Sequence, residues 1–253
     1  MSPAYAVNGS PKPKGVAIYC GSSLGKQKAF ENAAVSVGAA LARNGRPLVY
    51  GGGSKGIMGV VSGSALEQGG DVTGVVPYAM YAAGGEREKT TSEIENSVDI
   101  MVNTHGKERL TTVLVNSMHE RKVEMARRAS GFIGLPGGYG TYEEVFEAIT
   151  WTQLGIHDKP VILLNVLSFY SPLRDLVRNG VNEGFIQPSN ENLVLFVDGP
   201  SDPSLHETFD WGEAALEALN SWNKGEASVY TYDWSKKMGK ENGESKEDRL
   251  DVT

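Results

Sequence analysis

Pro136-Gly137-Gly138-Tyr139-Gly140-Thr141-Tyr142-Glu143-Glu144 joins an apolar run to a helical one through a cluster of glycines. Ahead of it, Gly131-Phe132-Ile133-Gly134-Leu135 has the length and composition of a buried strand. Behind it, Tyr142, Val145, Phe146 and Ile149 recur at helical spacing. The glycines therefore fall at a strand-to-helix turn, where free backbone N–H groups and the helix dipole favour an anion. Gly137, Gly138 and Gly140 let those donors approach a phosphate closely, and Thr141 adds a hydroxyl at the helix start. The stretch reads as a phosphate cradle.

Working outward, apolar runs at 16–19, 47–50, 72–76, 111–115, 132–135, 161–164 and 193–197 alternate with helical patterns at 26–44, 58–68, 118–129, 141–154, 172–183 and 211–223. This alternation predicts an α/β fold: one Rossmann-like, doubly wound parallel sheet with helices on both faces, in a single domain over 15–223. Ligands of such sheets bind beyond the carboxyl ends of the strands, where the glycine turns lie. Residues 1–14 read as a flexible leader. Segment 81–106 is polar and aperiodic, an excursion with room for one short helix near 92–96. Residues 224–253 read as a polar tail, disordered from about 235, where both charges are dense and apolar residues few.

Composition narrows the function. A net charge of -7 gives no electrostatic reason to bind nucleic acid or an anionic membrane. No run approaches the ~20 apolar residues of a membrane span, and the N-terminus has no signal-like apolar core. Cys20, the only cysteine, forms no intrachain disulfide, and the four histidines show no zinc-ligand spacing. These features predict a cytoplasmic protein, without a membrane or nucleic-acid partner, that holds any phosphate locally.

A second glycine turn, Gly51-Gly52-Gly53-Ser54-Lys55-Gly56, contains G-x-G-x-x-G, with Asp71 downstream as a nominal ribose ligand. Asp71 begins the next strand, however, which places its carboxylate at the wrong end of the sheet for a dinucleotide. No Gly-Lys-Ser or Gly-Lys-Thr follows, so a Walker A loop also fails. The turn, with Gly52 inside it, reads as a tight connection or as a glycine floor beneath a nucleotide. Cys20-Gly21-Ser22-Ser23 ends the first strand on the same edge, and Ser22 is either a ligand contact or a turn residue.

Met118, Arg121, Lys122 and Met125 share one stripe of a helix that Ser117 and Glu120 cap as a box. Two cations on that stripe suit either a solvated face or an anionic substrate held beside the phosphate turn. Met118 is either core or a platform for a base. Glu144 also has two readings: Thr141-x-x-Glu144 is a capping-box pattern, and a lone carboxylate beside a ribose is a hydrolytic group. Glu143 diverges from it by about 100°, so the two do not form a facing pair.

Taken together, Tyr50-Gly51-Gly52-Gly53, Met118-His119-Glu120-Arg121-Lys122, the Pro136–Glu144 stretch and Trp151-Thr152-Gln153-Leu154-Gly155-Ile156-His157-Asp158-Lys159-Pro160 resemble the LONELY GUY family of cytokinin riboside 5'-monophosphate phosphoribohydrolases. The resemblance implies a homodimer that hydrolyses the N-glycosidic bond of N6-substituted AMP, and AMP itself as a candidate, without metal or redox cofactor. It implies catalytic roles for Arg121 and Glu144. It assigns substrate binding to Met118, Lys122, Gly137, Gly138, Tyr139, Gly140, Thr141, Ser22 and Gly52. A non-catalytic nucleotide carrier of the same fold is the alternative. The enlarged 81–106 excursion and the charged tail depart from the family pattern.

Overall fold

The strands of the computed structural model are β1 (Gly15–Tyr19), β2 (Leu48–Tyr50), β3 (Val72–Pro77), β4 (Asp99–Met101), β5 (Leu110–Val115), β6 (Ala129–Gly134), β7 (Val161–Leu164) and β8 (Leu195–Val197). It describes residues 14–83, 99–101, 109–223, 225, 230 and 232–234. The strands form one sheet in the order β4-β5-β3-β2-β1-β6-β7-β8. Pairing is parallel except at the β4 edge, which runs antiparallel to β5. The order reverses between β1 and β6. Chain order leads outward from β1 through β2 and β3, then returns to place β6 on the other side of β1.

The helices are α1 (Lys28–Arg43), α2 (Gly56–Glu67), α3 (Tyr78–Ala82), α4 (Met118–Arg128), α5 (Tyr139–Gln153), α6 (Ser171–Asn182) and α7 (Trp211–Ser221). Every residue of β1 is buried, and its side chains alternate between two cores, as the two-residue period of a strand requires. Val16 and Ile18 pack with α1, α2 and α7, around Leu41, Ile57 and Trp211. Ala17 and Tyr19 pack with α4 and α5, around Met125, Phe132 and Val145. Helices α4 and α5 thus lie side by side on one face, and both carry residues to the β1 edge.

The expected alternation is present, with differences at element ends. The predicted strand at 193–197 begins only at Leu195, because Pro188–Leu193 form a 3-10 helix. Strand β6 starts at Ala129, directly after Arg128 ends α4. Helix α3 and strand β4 were unforeseen in the polar region after β3. The short helix expected near 92–96, residues 1–13 of the flexible leader expected over 1–14, and the disorder expected from 235 lie outside the described residues. Tail residues before that point meet the domain: the Tyr230 N–H donates to Gln153 O at 3.0 Å, and Trp234 Nε1 donates to Leu154 O at 3.1 Å. Among the described residues no helix is long and apolar enough to cross a membrane.

Candidate active site

Three glycine turns meet at the carboxyl edge of the sheet. The Gly21 N–H, just past β1, donates to the Pro136 carbonyl at 3.2 Å, and the Leu135 N–H donates to Tyr19 O at 2.9 Å. On the other flank of β1, β2 empties into Gly51 and Gly52; Gly52 has φ +84° and leaves no room for a Cβ beside Val76 Cγ2. Gly137 is equally constrained, since a Cβ there would collide with Thr141 Oγ1. From beneath, the buried Tyr170 hydroxyl donates to Leu135 O at 2.6 Å and braces the strand end. Tyr170 carried no local sequence signal, because its partner is distant in the chain.

Gly138 occupies the cap position of α5 and provides no side-chain acceptor. The first-turn N–H groups, on Tyr139, Gly140 and Thr141, are therefore left for a ligand or water. This start also decides between the readings of Glu144. Thr141 is the third residue of α5 and is buried, so the capping box that 141 and 144 suggested is not formed. Tyr139 stands exposed at the first position, and Ser22 is exposed beside the same turn.

Freed from capping, Glu144 faces α4. Its side chain is 11% exposed, and Oε1 lies 3.8 Å from Arg121 Nη2. Ser117 caps α4 by accepting from Glu120 N at 3.0 Å, while the Glu120 carboxylate accepts from Asn116 N at 2.7 Å, so Glu120 is structural as expected. Arg121 is only 7% exposed, which rules out the solvated-face reading. Its Nη2 donates to Gly51 O at 3.4 Å, and its Nη1 lies 3.8 Å from Met118 Sδ. Arg121 Nε is buried without a partner. An unpaired buried donor is costly, and a ligand that accepts from it recovers that cost. Met118 is 46% exposed, so it is not a core methionine.

Burial pushes the Glu144 carboxyl up to about 7; the attraction of Arg121 opposes that rise, and Glu143 reinforces it. At 3.8 Å the ion pair is too loose to offset desolvation. Lys122 answers a different demand. Its Nζ meets Glu143 Oε1 at 2.6 Å and Glu147 Oε2 at 2.8 Å, tying α4 to α5. Burial draws this ammonium down, but its hydrogen bonds to the two carboxylates outweigh that and hold its pKa above the usual lysine value. Asp71 sits at the amino end of β3, paired with Arg109 at 2.9 Å and far from the glycine edge, as its sequence position required.

The reversed parallel sheet, the uncapped helix start at its switch point and the buried Arg121–Glu144 pair define a Rossmann-like α/β protein with a site shaped for an anion. The solved molybdenum cofactor binding protein of Rippkaea orientalis shares the fold, with TM-score 0.52 and 18% identity over 84% of this chain and 98% of that one. A family model described as "Possible lysine decarboxylase" matches residues 58–204. A cytokinin riboside 5'-monophosphate phosphoribohydrolase of Arabidopsis thaliana is 39% identical over 225 residues, covering 89% of this chain and 86% of that protein. One of Oryza sativa subsp. japonica is 44% identical over 180 residues, covering 71% and 66%. The chain belongs to this phosphoribohydrolase family, the LONELY GUY proteins.

Proposed function

We propose that this protein hydrolyses the N-glycosidic bond of cytokinin riboside 5'-monophosphates, and of AMP, releasing free base and ribose 5-phosphate. The observation that carries the reading is the buried Arg121–Glu144 pair beside the uncapped start of α5. In this mechanism the 5'-phosphate sits on the first-turn N–H groups of α5 and on the Gly137–Gly138 turn. That anchor directs C1' of the ribose toward Glu144.

As the bond breaks, its electron pair leaves with the base, and positive charge grows on the sugar. The Glu144 carboxylate stabilises that charge. Water then adds its oxygen to C1' and gives one proton to Glu144; that proton, released from Glu144, is the one that the departing base takes up, so the carboxylate is restored. Arg121 steadies the negative charge on the leaving group through its charge and hydrogen bonds rather than by losing a proton. Met118, exposed beside Arg121, offers a face for the base.

Incubation with AMP and isopentenyladenosine monophosphate, with no metal or nicotinamide added, should release free base detectable by chromatography. The corresponding ribosides should react about a hundredfold more slowly, because the phosphate anchor supplies the orientation. Equal turnover of nucleotide and riboside would contradict the mechanism, and no turnover across a nucleotide panel would favour a carrier.

The same reading makes the protein a cytoplasmic homodimer that pairs through the outer face of α5. There Phe146 is 39% exposed. Trp151, nearer the end of the same helix, packs against His157 of its own chain, with ring centroids 6.2 Å apart. Light scattering should give twice the chain mass of 27.2 kDa. A monomer throughout the micromolar range would reject the dimer.

A further inference from the structure

Arg121 and Glu144 belong to different helices, so their separation depends on how α4 lies along α5. Helix α4 runs directly into β6, with no intervening loop. The Ala129 N–H donates to Ala126 O, and the turn before β7 adds a second, charged donor to the same carbonyl. Lys159, only 6% exposed, donates from Nζ to Ala126 O at 2.7 Å, in the last turn of α4. Among the described residues no carboxylate lies within ion-pairing distance of this ammonium; its counterpart is the partial negative charge of the helix end.

The turn that presents Lys159 is itself braced. Thr152 Oγ1, in the last turn of α5, lies 3.3 Å from both Lys159 O and His157 Nδ1. The His157 ring packs against Phe132 of β6, with centroids 5.1 Å apart. Burial and, second, the nearby Lys14 push the Lys159 ammonium down to about 8. Burial, with Lys159 as the lesser cause, pushes the His157 imidazole down to about 3. A methionine would fill the volume of Lys159 without this desolvation cost. The charge therefore has a task beyond filling space.

We propose that Lys159 is a positioning residue: by holding the C-terminal carbonyl of α4, it fixes that helix along its axis and sets the Arg121–Glu144 separation. Its consequence for turnover rests on the hydrolase reading. Its effect on the pair does not.

The experiment compares the parent with Lys159→Met and Lys159→Arg, following the Glu144 carboxyl by carbon-13 NMR without substrate. The resonance is identified by its loss in Glu144→Gln. In Lys159→Met, Arg121 draws away from Glu144, so the carboxyl titrates above the parent midpoint, and kcat/KM for AMP falls about tenfold. Lys159→Arg keeps a donor with a longer head and gives a smaller shift of the same sign. If Lys159→Met does not fold, Lys159→Arg carries the test. A lysine that merely supports the fold would lower the melting temperature and leave the Glu144 titration unchanged, and that result overturns the proposal. A shifted titration in a protein that turns over no nucleotide would keep the positioning role and reject the hydrolase.

Discussion

Glu144→Gln is expected to fold normally and to lose about a thousandfold in kcat. Glutamine keeps the size of the side chain but cannot carry the charge that the developing sugar cation needs. Solvent cannot replace that charge at a position only 11% exposed. A capping role would predict near-normal kinetics, but Gly138 holds the cap position of α5 and Glu144 is the sixth residue of the helix, too far in to cap it. Nucleotide affinity should change little, because the phosphate rests on backbone N–H groups. Single-turnover base release beside a melting curve decides the matter: normal release by folded Glu144→Gln would remove this residue from the mechanism.

The raised carboxyl gives the same variant a pH signature. Glu144 shifts from 4.5 to about 7 on folding, so the native state keeps a proton that the unfolded chain releases. Stability therefore falls as pH rises between these values, and above them the buried carboxylate costs up to about 3 kcal/mol. Glu144→Gln should melt like the parent near about pH 4 and several degrees higher near about pH 8. In the parent, kcat/KM should rise toward a plateau above about 7, since the ionised form does the chemistry. The ionisation of the substrate phosphate, near about 6, adds a second and lower step. A profile that fell with pH through neutrality would assign Glu144 the opposite role, as an acid.

Much of the sheet was legible because parallel strands are buried on both faces and read as short apolar runs, as at Val161–Leu164. Strand order was not. Nothing in the period of β1 or β6 says that they are neighbours, so the switch point emerged only from their pairing. Local pattern misplaced Glu144 between two roles because Thr141-x-x-Glu144 is a box only if the helix starts at Thr141. Gly138, in an extended conformation, starts it at Tyr139 instead. Arg121 was recognisable as a candidate, but its burial against Gly51 was not, since the contact joins residues 70 apart in the chain. The partners of Lys122 and Lys159 were opaque for the same reason: they lie on other elements. Strand β4 escaped notice because three residues at an antiparallel edge are too short to establish a period.

Gly51→Ala adds a single methyl group and is expected to lower kcat/KM several hundredfold, in the range seen when a transition-state donor is removed. Gly51 is not among the glycines with positive φ, so the backbone accepts alanine. The new Cβ would collide with Arg121 Nη2 and crowd Arg121 Cζ at 3.1 Å, while Met58 Sδ at 3.5 Å stays in ordinary contact. A guanidinium is the mobile end of a long side chain, so it gives way before the sheet does, and the melting temperature should move little. Arg121 then leaves both Gly51 O and Glu144, and the Glu144 carboxyl, losing the attraction that held it down, should titrate higher than in the parent. Coupling separates this route from a general disturbance of the turn. Once Arg121→Ala has removed the guanidinium, adding Gly51→Ala should cost almost nothing more. If the two losses instead multiply, the Gly51 turn contributes to turnover by some contact other than Arg121, and the path from the β2 edge to the reacting bond must be redrawn.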